Sequence, residues 1–168
     1  YCSGYGTSVP FPNGTTFTGN NLTLGNYSTL NWNQNGTLAG KTITFGATPG
    51  YYATINIGTN NSLILDSATT LTGDVYLYGN SGSTITNQGT ITQTSGTGYI
   101  YGYTGSTFTN QGAITVGTGS SLYLGYYSSS ATTTVVGTVT LKYNGFSTPF
   151  NYRTGSRNSV AVPPPTLR

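Results

Sequence analysis

The stretch "GSTITNQGTI" at residues 82–91 returns 23 residues later as "GSTFTNQGAI" at 105–114. No other feature restricts the possible folds of this chain as strongly. Extended outward, "VYLYGNSGSTITNQGTITQ" (75–93) matches "YIYGYTGSTFTNQGAITV" (99–116). With two or three residues inserted, "LTLGNYSTLNWNQNGTLAG" (22–40) follows the same plan. "INIGTNNSLILDSATTLTG" (55–73) and "LYLGYYSSSATTTVVGTVTL" (122–141) are looser copies. Each unit opens on an apolar-x-apolar-Gly step, makes a small polar turn, and adds two more short strands. The marker glycines Gly25, Gly58, Gly79, Gly102 and Gly125 are spaced 33, 21, 23 and 23 apart. The long first gap contains "KTITFGATPGYY", read as an extra strand and loop.

A unit of about 23 residues holds three strands and three tight turns, and it cannot bury its own apolar face. Stacked copies can, so the fold class expected is all-β, a β-solenoid (parallel β-helix) of about five coils over residues 14–143. In such a stack Leu30, Leu63, Ile85 and Phe108 form one inward column. Leu38, Leu71, Ile91, Ile114 and Val139 form a second, and Leu24, Leu77, Ile100 and Leu124 a third. Strand alternation then puts Thr84, Thr86, Thr107 and Thr109 outside. Asn87 would lie over Asn110 at the ~4.8 Å strand spacing, where amides bond along a ladder. Gly89 and Gly112 would supply the positive φ of that corner. A β-sandwich is the competing fold, since turns about every ten residues suit it too. It offers no reason for the recurrence of Asn, Gln and Gly.

"GSTITNQGTITQ" and "GSTFTNQGAITV" resemble the haemagglutinin-type and adhesin-type repeats of extracellular right-handed parallel β-helix proteins. The resemblance implies a secreted surface or matrix protein and brings no catalytic residue to this chain.

Composition narrows the function. The charged residues are Asp66, Asp74, Lys41, Lys142, Arg153, Arg157 and Arg168; His and Met are absent. A net charge of +3 is too thin for nucleic-acid binding, which needs a dense basic face. Low charge favours association. Alternating Thr, Tyr, Ile, Leu, Val and Phe argue against disorder. No apolar run is long enough for a membrane-spanning helix. The start at Tyr1 reads as a processed secreted form. Acid–base catalysis and metal binding need more titratable groups than Asp66 and Asp74 supply, so the chain reads as no enzyme, with no cofactor and no metal.

Cys2 is the lone cysteine and is either a free thiol or a bond to another chain. Residues 1–13 and 144–168 fall outside the repeat and read as terminal arms, the second basic and ending in "VPPPTLR". Asn13, Asn21, Asn26, Asn35 and Asn60 head Asn-x-Ser/Thr sequons, candidates for glycans in a secreted protein. Tyr76, Tyr99 and Tyr123 are expected in one outward column, with Tyr78, Tyr101 and Tyr103 beside it, as a subunit contact or a cover for their own strands. The function expected is a structural subunit of an extracellular filament or surface fibre. It would polymerise with itself head to tail through open β ends and arms, with Cys2 near the junction. The alternatives are a carbohydrate-binding adhesin module meeting surface polysaccharide, which needs a concave aromatic groove, and an ice-binding solenoid. Ice binding is suggested by Thr-x-Thr pairs, of which only two successive coils align cleanly by sequence.

Overall fold

The computed structural model describes residues 6–46, 48, 51–124, 132–135 and 138–141. Among these there are strands and no helix. The first coil contributes β1 (Ser8–Pro12) and β2 (Asn21–Leu24). The second holds β3 (Thr29–Asn33), β4 (Gly36–Leu38) and β5 (Thr42–Phe45). The third holds β6 (Thr54–Ile57), β7 (Ser62–Leu65) and β8 (Thr70–Gly73). In the fourth are β9 (Tyr76–Gly79), β10 (Thr84–Asn87) and β11 (Thr90–Gln93). β12 (Thr97–Gly102), β13 (Thr107–Asn110) and β14 (Ala113–Val116) make the next, and β15 (Ser121–Leu124), β16 (Thr132–Val135) and β17 (Thr138–Leu141) follow.

From β2 onward each strand pairs in parallel with the strand three places along, and β1, in a coil without a middle strand, pairs with β3. Three sheets result: β1-β3-β6-β9-β12-β15, β4-β7-β10-β13-β16 and β2-β5-β8-β11-β14-β17. This is a β-solenoid of about five turns. Most strands are four residues of alternating exposure, as in Thr84–Asn87 and Thr90–Gln93. Their inward Leu and Ile form one core; Leu63, Leu71, Leu77, Ile91 and Ile114 are fully buried. Each such side chain contributes about 1.5–3 kcal/mol, and only the stack can bury it.

Three inward columns form as expected over residues 63–124. Leu63, Ile85 and Phe108 share one; Leu71, Ile91, Ile114 and, by register, Val139 another; Leu77, Ile100 and Leu124 a third. The expected first members are one strand out of phase. Leu24 pairs with Phe45, Leu30 with Ile55, and Leu38 with Leu65. The apolar-x-apolar-Gly step that ends at Gly25 closes a strand of the β2 sheet, whereas the step at Gly79 closes one of the β9 sheet. Residues 42–45 are accordingly a regular rung, not an extra strand.

Two further expectations are corrected. Gly89 and Gly112 are not at positive φ; Gly82 (φ 70°) and Gly105 (φ 73°) are, with Asn60 (φ 57°) at the same corner one coil earlier. The glycine that opens "GSTIT" is therefore the one that turns the chain left-handed, where a Cβ is costly. Gly89 and Gly112 are required for closeness. A Cβ on Gly89 would overlap the carbonyl oxygens of Thr69 and Asp66, and one on Gly112 would overlap the backbone of Gln88 and Gly89.

The second correction concerns the N-terminal arm. Ser8–Pro12 is a strand of the stack, paired with Thr29–Asn33, so the solenoid begins before residue 14. The segment breaks the repeat because it is an edge. Thr29 N–H donates to Thr7 C=O at 2.8 Å, so Thr7, Val9 and Phe11 face β3 while Pro10 and Pro12 face outward. Proline at that place removes two donors from the free edge. Phe11 stacks on Trp32 at 6.0 Å and meets Phe17 edge-on at 6.4 Å, closing the end of the core. Cys2 and residues 144–168 lie outside the described residues.

Candidate functional site

The corner at "NQG" is internal. Asn87 and Asn110 are paired in register, fully buried, and joined by a bond from Asn87 Nδ2 to Asn110 Oδ1 of 2.6 Å. Asn87 Oδ1 accepts from Gly89 N–H at 3.2 Å, and Asn110 Nδ2 donates to Gly112 C=O at 3.0 Å. Outside the same corner Gln88 donates to Gln111 at 3.2 Å. The two asparagines hold the stack and are closed to ligands.

The outer faces are where another molecule can be met. On the β9-β12-β15 portion of its sheet, Tyr76, Tyr99 and Tyr123 occupy one column, as the sequence implied. Ring centroids are 5.1 Å apart between Tyr76 and Tyr99 and 5.2 Å between Tyr99 and Tyr123, the latter pair parallel within 14°. Tyr52 continues the column at 5.3 Å from Tyr76, a member that the sequence did not offer because it lies in the loop before β6. A second column sets Tyr78 against Tyr101 at 4.7 Å, with Tyr103 at 5.2 Å. Most of these rings tilt against one another, so they cover their own sheet and still present edges and hydroxyls outward. Tyr103 and Tyr123 are exposed. Lower on the same face, the Tyr78 column becomes asparagine. Asn31, Asn56 and Asn80 form a ladder with bonds of 2.9 and 2.8 Å, and Asn31 donates to Ser8 at 2.7 Å.

The β2 sheet carries threonine instead. Register places Thr23, Thr44, Thr72, Thr92, Thr115 and Thr140 opposite one another. Beside them run Asn21, Thr42, Thr70, Thr90, Ala113 and Thr138. The sequence had brought only two successive coils into line. The phase error in the first units had hidden the rest.

A cleft opens at the edge of the first coils, where residues 13–20 form no strand beneath β4. Its volume is about 280 Å³, and Phe17, Trp32, Gln34, Thr37 and Lys41 are among its walls. Trp32 is nearly buried and its Nε1–H is taken by Ser62 C=O at 2.9 Å. Lys41 Nζ stands 5.1 Å over the Phe17 ring.

The two carboxylates have separate, structural partners. Asp66 Oδ1 accepts from Gly40 N–H at 3.0 Å and from the Thr69 hydroxyl at 2.7 Å, and these bonds hold its carboxyl below the usual carboxylate range. Asp74 is buried and accepts from Ser95 Oγ at 2.8 Å and Gln93 Nε2 at 3.3 Å. Among the described residues no three His, Cys, Asp or Glu side chains gather as a metal site.

Of the sequons, Asn13, Asn21 and Asn60 are exposed. Asn35 is exposed but its Oδ1 accepts from Ser62 N–H at 2.8 Å, and Asn26 Oδ1 accepts from Thr48 N–H at 2.7 Å. Material secreted by a glycosylating cell is expected to carry glycan at one or more of Asn13, Asn21 and Asn60 before the other two. Intact-mass measurement checks this, and a mass equal to the bare 17.5 kDa chain counts against it.

Comparison with protein-family models, with curated proteins and with solved structures finds no match for this chain.

Proposed function

We propose that this chain is a structural subunit of an extracellular filament or surface fibre, a stiff β-rod that stacks on copies of itself. The observation that carries the reading is the unbroken strand-over-strand register through three sheets. Unpaired strand edges are costly when buried and are satisfied by another strand. The two ends of such a rod differ, so the contact is head to tail, and head-to-tail contacts that do not close give filaments. The near-absence of charge on the described faces leaves little repulsion between copies.

The β1 edge shapes the junction. With Pro10 and Pro12 facing outward it can accept bonds but cannot donate at those two positions, so the β2 edge carries more of the strand pairing. The Tyr76 column runs to Tyr123 on β15 and, with the column beside it, offers a lateral contact between rods. No catalytic role is proposed. A second reading, carbohydrate binding, draws on the cleft beside Phe17 and Lys41, which combines an aromatic edge with hydroxyls.

Deletion variants test the assembly. Sedimentation velocity of the intact chain is expected to show growth to large species as concentration rises. Removing residues 1–13, which takes away β1, or separately 144–168, is expected to change that growth. If both truncated chains assemble as the intact one does, the terminal segments are not the connectors.

A further inference from the structure

The outward face of the β2-β5-β8-β11-β14-β17 sheet has no role in the stacking just described. Its side chains are short, uncharged and repeated. Thr44, Thr72, Thr92 and Thr115 follow one another without interruption in the described coils, and Thr42, Thr70 and Thr90 stand beside them. Strands lie about 4.8 Å apart and residues i and i+2 about 6.7 Å apart along a strand. The threonines therefore form a regular two-dimensional lattice, with a hydroxyl and a methyl at each point. A β-branched side chain has few χ1 choices in a strand, so neighbours repeat one orientation rather than adapting separately. Each hydroxyl can both donate and accept. Of the described charged residues, Lys41 adjoins this face, and its ammonium is held over Phe17.

Small ligands are held in concave sites, and the outward side of a sheet covered in short side chains gives them no walls. Sugar chains use aromatic platforms, and the stacked Tyr76, Tyr78, Tyr99, Tyr101 and Tyr123 stand on a different sheet. What a rigid, uncharged, periodic array of hydroxyls and methyls matches is a surface that is itself periodic and made of hydrogen-bonding water. We propose that this threonine face binds ice. Individual hydroxyl contacts are weak, but a preorganised array engages them together, without an ordering cost at each point. Binding depends on the whole array that the register of the coils creates, so one bulky or charged interruption is enough to weaken it. It is also independent of filament formation, because the stack edges and the face are different surfaces.

The test is partition into slowly growing ice, measured on the intact chain and on variants whose fold is checked by circular dichroism. The native protein is expected to enter the ice, while a non-binding reference protein stays in the liquid. Thr72→Tyr places a ring across the centre of the lattice with a residue that strands favour, and Thr92→Lys brings a charge there. Each is expected to lower partition at least ~tenfold, because an interrupted array loses simultaneous engagement. Thr107→Tyr, outward on β13 in another sheet, is expected to partition as the native chain does. Exclusion of the native protein from ice overturns the proposal. Equal loss in the folded Thr107→Tyr and Thr92→Lys variants overturns the assignment to this face.

Discussion

Gly89→Val is expected to destabilise the fold by about 3 kcal/mol or more, at the upper end of what overpacking costs. For a chain of this length that lowers the melting temperature by roughly 6–12 °C. The reason is contact, not conformation. The atoms that a Cβ at Gly89 would overlap are main-chain oxygens of Thr69 and Asp66 in the coil beneath. Those oxygens cannot rotate aside as a side chain would, and Thr69 C=O already accepts from Thr90 N–H at 2.9 Å. Gly112 repeats the arrangement one coil on, with Gly89 itself as the neighbour. Gly119 is the control. It sits at φ 74° with nothing within 4 Å of a built Cβ, so Gly119→Ala bears only a left-handed backbone cost of about 1–2 kcal/mol. A thermal melt separates the two. If Gly89→Val costs no more than Gly119→Ala, the coils do not pack corner on corner.

Asn87→Leu is expected to cost about 2–5 kcal/mol, and part of that should return when its partner is changed too. Leucine suits the space in one sense, because Leu65 occupies the same column one coil below. It cannot serve the polar groups. Asn110 Oδ1 loses the amide that donates to it at 2.6 Å, and Gly89 N–H loses its acceptor at 3.2 Å. Each orphaned buried group costs on the order of 1–3 kcal/mol. Asn110→Val alone leaves Asn87 Nδ2 and Gly112 C=O in a similar position. The double variant removes the shared bond from both sides and extends the apolar column. Its loss is expected to fall short of the sum of the singles by at least ~1 kcal/mol, measured as a double-mutant cycle in denaturant. Additive losses would mean that the two amides do not form a ladder.

How far the sequence carried depended on where the repeat was strict. Over residues 75–116, identical spacing of Asn, Gln and Gly fixed the pairing of Asn87 with Asn110, and the structure has that pairing. Tyr76, Tyr99 and Tyr123 were legible for the same reason, once a residue was inserted before the last. Below residue 60 the signal failed, because an apolar-x-apolar strand looks alike in every sheet of a three-sided coil. "LTLG" could be laid on "YLYG", although Leu22–Leu24 belong with Ile43–Phe45. That one-strand slip moved Leu24, Leu30 and Leu38 to neighbouring columns and concealed the threonine files.

Glycine posed a different difficulty. Its letter does not say whether it is there for φ or for closeness, and Gly82 and Gly89, seven positions apart in one unit, are there for different reasons. The terminal cap was hidden because its chemistry is not that of the repeat. Pro10 and Pro12 read as part of a terminal arm until the direction of the Thr29-to-Thr7 hydrogen bond shows which edge they face. The cleft near Trp32 arises from a strand that the first coil lacks, and no motif marks a missing strand.

Orientation of the strands within an assembled specimen tests the filament reading most directly. Concentrated intact protein, aligned and examined by fibre diffraction alongside negative-stain microscopy, is expected to give unbranched filaments about one solenoid wide or bundles of them. Their ~4.8 Å strand-spacing reflection should lie along the filament axis, because coils stacked end to end set their strands across it. Protein that remains dispersed as monomers at high concentration contradicts the reading, and so do fibres whose 4.8 Å repeat runs across the axis, since rods joined side by side would not extend the stack.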